Sequence, residues 1–310
     1  MDISKSLRIF TAAKINLYLE VGAKNLNGYH SLKTIFQSID LFDQLEISLD
    51  LNTQDKNINI NIENLIYKDA LPQNIKENLI YKASKAFFKK AKISNYNLNI
   101  NLFKNIAVAA GLGGGSADSA GIIFALNYIC GEILNQEELL EITKEIGSDV
   151  PFCLLGGRMI GTGRGDQLIR LPLRNNLIIL LISPPIELET KTKDIYEAYD
   201  QFENKIFKPK ISFESFVSLL NNAGPEEIRN NLYNSLEEVV INNCFWVEEL
   251  KSFLESKNIN AIISGSGASV FSVFGDVNHA QIIAEELRLK GYKVGIHNCI
   301  ENPFEIEINS

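Results

Sequence analysis

The chain has 310 residues, of which 45% are hydrophobic and 22% charged. That excludes a disordered chain, because enough apolar surface exists to offset the entropy of ordering, and the length suits two domains. Thirty basic residues against 38 acidic ones give a net charge of −8, the opposite sign to that of proteins that hold nucleic acid by its phosphates.

Near the amino end, Lys14 lies in the apolar, strand-like context Thr11-Ala12-Ala13-Lys14-Ile15-Asn16-Leu17, where a charge is costly unless paired. Asn25-Leu26-Asn27-Gly28-Tyr29-His30 has loop composition. An aromatic and a histidine side by side can stack on a planar ring and bond its edge. Residues 57–62 alternate, and their asparagines predict an edge hairpin. Leu79, Ala83, Ala86 and Phe87 recur at helical spacing behind Asn78 as cap. Leu98, Ile100 and Leu102 share one face of a half-buried strand.

Next comes Ala107-Val108-Ala109-Ala110-Gly111-Leu112-Gly113-Gly114-Gly115-Ser116-Ala117, a strand end, four glycines in five residues and a helix predicted from Ser116 through Asn127. Such a loop can bring its backbone N–H groups against an anion, with the helix dipole behind them. It is neither a GxxxxGK[ST] loop nor a dinucleotide GxGxxG; the competing reading is a turn needed only for tight packing. A helix over 136–146 is predicted to stop at Gly147 in a left-handed conformation. Asp149 follows, and as a charge before Val150-Pro151-Phe152 it is a candidate partner for Lys14.

The glycine-rich 156–165 predicts a seam between domains, with a strand at 168–182 beyond it and a mobile surface loop at 203–210. Helices are expected over 213–220, 225–240, 247–254 and 280–289, and strands over 261–263 and 270–274. Between these last two, Ser264-Gly265-Ser266-Gly267-Ala268-Ser269 reads as a hairpin loop, or as a second wall of the same anion site. Strands mixed with helices in both halves give an α+β class. The cysteines at 130, 153, 244 and 299 are far apart with no CxxC pair, which predicts unpaired thiols in a reducing compartment, the cytoplasm. No leader pattern or membrane-length apolar run is present, the longest aliphatic stretch being six residues, 177–182.

These pieces, in this order, resemble the GHMP kinase superfamily over nearly the whole chain. Ala13-Lys14-Ile15-Asn16-Leu17 matches its amino-terminal signature. Gly28-Tyr29-His30, with Phe36-Gln37 and Asp40-Leu41, matches one branch of it. Gly111 through Ser116 matches that branch's triple-glycine phosphate loop, and Gly147-Ser148-Asp149-Val150-Pro151-Phe152, Gly163-Arg164-Gly165-Asp166 and Gly265-Ser266-Gly267 complete the set. Ala107, Asn27, Ser148 and Ser264 stand where the family often has Pro, Asp, Ala and Thr.

The resemblance implies a two-domain fold, with a ribosomal-protein-like α/β domain over 1–165 and a ferredoxin-like α+β domain over 166–310. It implies an ATP-dependent kinase acting on the 2-hydroxyl of a methylerythritol unit linked to cytidine diphosphate. Lys14 and Asp149 would be catalytic, and residues 107–117 would hold the ATP phosphates. Asn16, Tyr29 and His30 would bind substrate, together with Tyr196, which follows Thr192 at the family's threonine-to-aromatic spacing although Thr190 better fits the distance from Pro184-Pro185. Mg²⁺ would accompany the nucleotide; the sequence names no ligand set for it, Ser116 offering one hydroxyl. No nucleic acid or membrane partner is implied, and the chain is expected as a monomer or weak homodimer. The alternatives are a mevalonate- or homoserine-kinase-like enzyme and a non-catalytic nucleotide- or sugar-binding member of the fold.

Overall fold

In the computed structural model, which describes residues 4–25, 28–64, 75–184, 192–201 and 208–308, the chain opens with two 21-residue strands. These are β1 (Ser4–Lys24) and β2 (His30–Asp50), paired antiparallel. Next come β3 (Lys56–Asn64), α1 (Leu79–Lys90), β4 (Tyr96–Lys104), α2 (Gly114–Ile129), α3 (Gln136–Ile146) and α4 (Val150–Leu155). A hairpin of β5 (Arg158–Gly163) and β6 (Gln167–Leu171) precedes β7 (Ile178–Ser183), α5 (Thr192–Gln201), α6 (Phe213–Asn222) and α7 (Pro225–Asn230). The rest is β8 (Tyr233–Asn234), α8 (Glu237–Asn243), α9 (Phe245–Ser256), β9 (Ile262–Ile263), β10 (Val270–Phe274), α10 (Val277–Leu289), β11 (Lys293–Asn298) and β12 (Phe304–Ile308).

Two sheets result. The first runs β12-β1-β2-β4-β3, with β5 also on β2, β6 on β5 and β8 on β1. Its outer half reads as the alternation predicts: Leu98, Ile100 and Leu102 of β4 face Leu45, Ile47 and Leu49 of β2, and α1 and α2 cover that face through Phe87, Ile122 and Leu126. Local chemistry starts the helices. The Asn78 side chain accepts from Ile80 N at 2.8 Å, and Asn135 and Glu138 close a reciprocal capping box at the head of α3. The second sheet is antiparallel in the order β11-β7-β10-β9. Counting β7, β9, β10 and β11 as one to four, that order is 4-1-3-2, the ferredoxin-like arrangement.

Several expectations change. Residues 57–62 do lie on an edge strand, but β3 pairs parallel with β4 and not as a hairpin. A parallel neighbour needs a crossover, and α1 supplies it. Gly147 is extended (φ 179°) and not left-handed, because the chain passes directly into α4. The strand expected over 168–182 is two strands in different sheets, β6 ending just before Pro172. The helix expected over 225–240 is interrupted by β8, whose Tyr233 pairs with Tyr18 of β1. The expected boundary at 165/166 falls inside the β5–β6 turn, and β12 returns from the far end of the chain to pair with β1. Most of the loop expected at 203–210 lies outside the described residues. All four cysteines are free. No helix among the described residues is long and apolar enough to cross a membrane.

Candidate active site

Two register shifts in the β1–β2 ladder, at Ala12/Ala13 and Asn16/Tyr18, bracket Lys14 and Asn16. Bulges of this kind re-aim side chains beside functional sites. Lys14 and Asn16 share one face of the strand, and both are buried. Lys14 Nζ donates to Asn16 Oδ1 at 2.8 Å, and Asn16 Nδ2 donates to Thr34 Oγ1 at 2.8 Å. Asp149 is the residue that enters α4, yet its carboxylate does not cap that helix. It turns instead to Lys14, with Oδ2 3.3 Å from Nζ. The Phe36 ring lies 5.7 Å from the ammonium and stacks on Phe152, an apolar wall that keeps the pair from bulk water on one side.

The glycine loop lies beside this pair. Lys14 N donates to Leu112 O at 2.9 Å. Gly113, in the left-handed region, is the entry residue of α2, so no side chain caps the first-turn N–H groups and they remain available to an anion. Gly111 (φ 79°) is pressed against the second glycine cluster: a Cβ there would sit 1.8 Å from Ser264 O. Ser264 Oγ donates to Gly111 O at 2.9 Å, and Ser269 N donates to Ala110 O at 3.1 Å. The 264–269 turn is therefore both a hairpin loop and the backing wall of the first loop. Of the expected loop residues, Ala107 through Ser116 line the cavity. Ala117 does not; it is buried with Phe36, Val150 and Phe152.

At the other side, Tyr29 is half exposed, with the Arg164 guanidinium 4.1 Å from its ring centre. Arg164 also reaches Ser148 Oγ at 3.3 Å, one residue from Asp149. The His30 ring lies 5.6 Å from Tyr196 and 5.9 Å from Tyr199. Its Nδ1 bonds Gly22 O at 2.9 Å and its Nε2 faces Asp200 Oδ1 at 2.8 Å. Nδ1 is thus bonded within the protein, whereas Nε2, though close to that carboxylate, makes no hydrogen bond with proper geometry, and the ring lines the cavity beside Tyr196. Burial raises the pKa of the Tyr196 phenol, and the nearby Asp149 charge adds to the effect. Thr192 bonds Ser266 at 3.0 Å, tying α5 to the backing loop. Pro185 and Thr190 lie outside the described residues.

A cavity of about 990 Å³ is lined by Lys14, Asn16, Tyr29, His30, Asp149, Tyr196 and the glycine loop together, at the upper end of the range for one drug-sized ligand. Lys104, Asp118 and Asp200 also line it without having been singled out from the sequence, and Arg164, quoted there only within a matched motif, lines it too. Lys104 and Asp118 form a buried group with Asp43. Parity could have found two of the three. Lys104 continues the inward series Leu98, Ile100, Leu102, and Asp43 precedes Leu45, Ile47 and Leu49 on the inward face. Burial raises the Asp118 carboxyl well above the usual carboxylate range; Lys104 opposes this, and Asp43 adds to it.

The models for the GHMP kinase N-terminal and C-terminal domains match residues 78–157 and 216–293. A Caldanaerobacter subterraneus protein named 4-diphosphocytidyl-2-C-methyl-D-erythritol kinase is 38% identical over 306 residues, 97% of this chain and 99% of its own length. The protein of that name from Clostridium beijerinckii is 35% identical, covering 95% of this chain and all of its own. A crystal structure of 4-(cytidine 5'-diphospho)-2C-methyl-D-erythritol kinase superposes with a TM-score of 0.73 at 26% identity, over 94% of this chain and 98% of that one. A homoserine kinase from Cytophaga hutchinsonii superposes as well, at 0.74, but with 17% identity over 99% of both chains. Backbone likeness therefore does not separate the branches, and sequence does. The chain belongs to the GHMP kinases, in the family of the 4-diphosphocytidyl-2-C-methyl-D-erythritol kinases.

Proposed function

We propose that this ATP-dependent kinase transfers the γ-phosphoryl group to the 2-hydroxyl of 4-diphosphocytidyl-2-C-methyl-D-erythritol, a step of isoprenoid precursor synthesis, with Asp149 as base. The observation that carries the residue roles is the 3.3 Å approach of Lys14 to Asp149 inside the cavity that the glycine loop walls. Phosphoryl transfer passes through a loose transition state, so the protein mainly positions groups and stabilises charge. The uncapped amides of α2 and the loop would hold the ATP phosphates. Asp149 would accept the hydroxyl proton as the bond to phosphorus forms, and Lys14 would stabilise the charge developing on that oxygen. Asn16 holds the Lys14 amine in place, lines the cavity and would hydrogen-bond the polyol. Tyr29 and His30 would hold the cytosine, and Tyr196, whose ring packs against His30, would flank it.

Among the described residues no group of three His, Cys, Asp or Glu side chains could hold a metal ion. Mg²⁺ would enter with the nucleotide, held chiefly by phosphates and water, and would supply charge neutralisation there. Four free cysteines support a reducing, cytoplasmic setting. The test is ADP release by purified protein with ATP and Mg²⁺, offered the cytidylated methylerythritol, mevalonate or homoserine in turn. Turnover with the first alone is expected. Turnover with another alcohol would move the chain to a different branch, and none with any would favour a binding protein.

A further inference from the structure

Behind the glycine loop lies a group of charges that the chemistry above does not use. Lys104 ends β4, Asp118 sits in the first turns of α2, and the loop is the chain between them. Lys104 Nζ donates to Asp118 Oδ2 at 2.7 Å and also to Asp43 Oδ2. Asp43 Oδ1 accepts from Asn105 N and Ile106 N, at 2.5 and 2.7 Å, the residues where the loop leaves the strand. Thr11 Oγ1 donates to Asp118 Oδ1 at 3.0 Å. Relative exposures are 4% for Lys104, 0% for Asp43, 1% for Asp118 and 0% for Thr11. Lys104 Nζ lies beneath the loop, 3.0 Å from where a Cβ on Gly114 would stand.

Burying such charges is weak evidence for stability, since apolar residues of similar volume often serve as well. Nor does the group attract phosphates: two carboxylates against one ammonium is the wrong balance for drawing in an anion. What it does fix is geometry, because it joins both ends of the loop to β1 and β2. We propose that Asp43, Lys104 and Asp118 are positioning residues, a clasp that closes the neck of the loop and sets its amides for nucleotide phosphate. This rests on the reading that the loop holds ATP.

The test is ADP affinity by calorimetry on the purified full chain, beside its melting temperature. Asp118→Ala leaves Lys104 and Asp43 as a balanced pair, so the fold has a satisfied core, while the far end of the loop is released. Its Kd for ADP is expected to rise about tenfold or more, as for misplaced binding groups generally. Asp118→Asn keeps hydrogen bonds to both neighbours and should stay within about threefold, since a net hydrogen bond is a modest term. Thr11→Val, close to isosteric and charge-neutral, should weaken ADP by about two- to fivefold on the same ground. Wild-type Kd in a folded Asp118→Ala or Thr11→Val protein, with only the melting temperature lowered, would overturn the clasp. So would equal weakening by Asn and Ala, which would make charge and not geometry the cause. Should the wild-type chain bind no ADP, the nucleotide reading itself fails, and the clasp with it.

Discussion

Asp149 is a third exposed while its partner Lys14 is almost fully buried, so the carboxylate is the member of the pair that incoming substrate can reach. Asp149→Asn keeps size and removes the proton acceptor. It is expected to lower kcat by about 10²-fold or more with KM for ATP unchanged; steady-state kinetics reads both, and wild-type turnover would take the role of base from Asp149. Tyr29 is proposed to serve a different part of the substrate. With Arg164 already stacked on it, Tyr29→Ala should raise KM for the cytidylated alcohol about tenfold, as loss of one base–aromatic stack does, with ADP affinity untouched. Equal weakening of both substrates would make the 28–30 loop structural. Lys14 and Asp149 were legible because each is a charge in an apolar stretch, which demands a partner. Asp200 was not: it lies in a polar helix beside residues 202–207, and only the folded chain brings it to His30 and Lys24, at 2.8 and 2.5 Å.

Between elements, the contact that decides the site is loop on loop. A Cβ on Gly267 would stand 2.0 Å from both Ala110 C and Gly111 N, which are backbone and cannot rotate away. Gly267→Ala must therefore push the backing wall off the glycine loop. Overpacking of this kind costs about 1–3 kcal/mol, so a melting temperature lower by several degrees is expected, together with weaker ADP binding. An unchanged Kd would mean that the 264–269 turn backs the loop without shaping it. The signal in the sequence was the glycine pair at 265 and 267, which composition alone could not distinguish from an ordinary turn. Elements with one wet face were legible in the same way: β4 alternates, and α1 carries its Asn78 cap. The inner half of β2 was not. Residues 34–39 are all buried, lying between helices on one side and the second sheet on the other, and burial on both faces erases the period of two.

Across the whole molecule the two sheets meet where β2 passes β11. Asp40 of β2 accepts from Asn298 N at 2.8 Å and Asn298 Nδ2 at 2.7 Å, and its Oδ1 lies 3.2 Å from His297 Nδ1. Nearby, the fully buried Arg158 guanidinium bonds Gln37 Oε1 at 2.8 Å and Asn175 Oδ1 at 3.0 Å. These links join segments far apart in sequence, as does the return of β12 to β1, so pattern within a window could not place the boundary between the two halves. The junction also carries a pH signature. Burial lowers the His297 pKa below its usual 6.5, and Asp40 only partly opposes this. The unfolded chain then binds the proton at a higher pH than the folded one does. Stability from this group is complete above pH 6.5 and is lost as pH falls through the folded value. His297→Gln keeps a donor for Asp40 but cannot titrate. Its melting temperature is expected to drop less than that of the wild type between pH 7.5 and pH 5.5, by about the share His297 carries in the linkage. Parallel curves for the two proteins would show that acid opens the molecule elsewhere, with the β2–β11 contact indifferent to the proton.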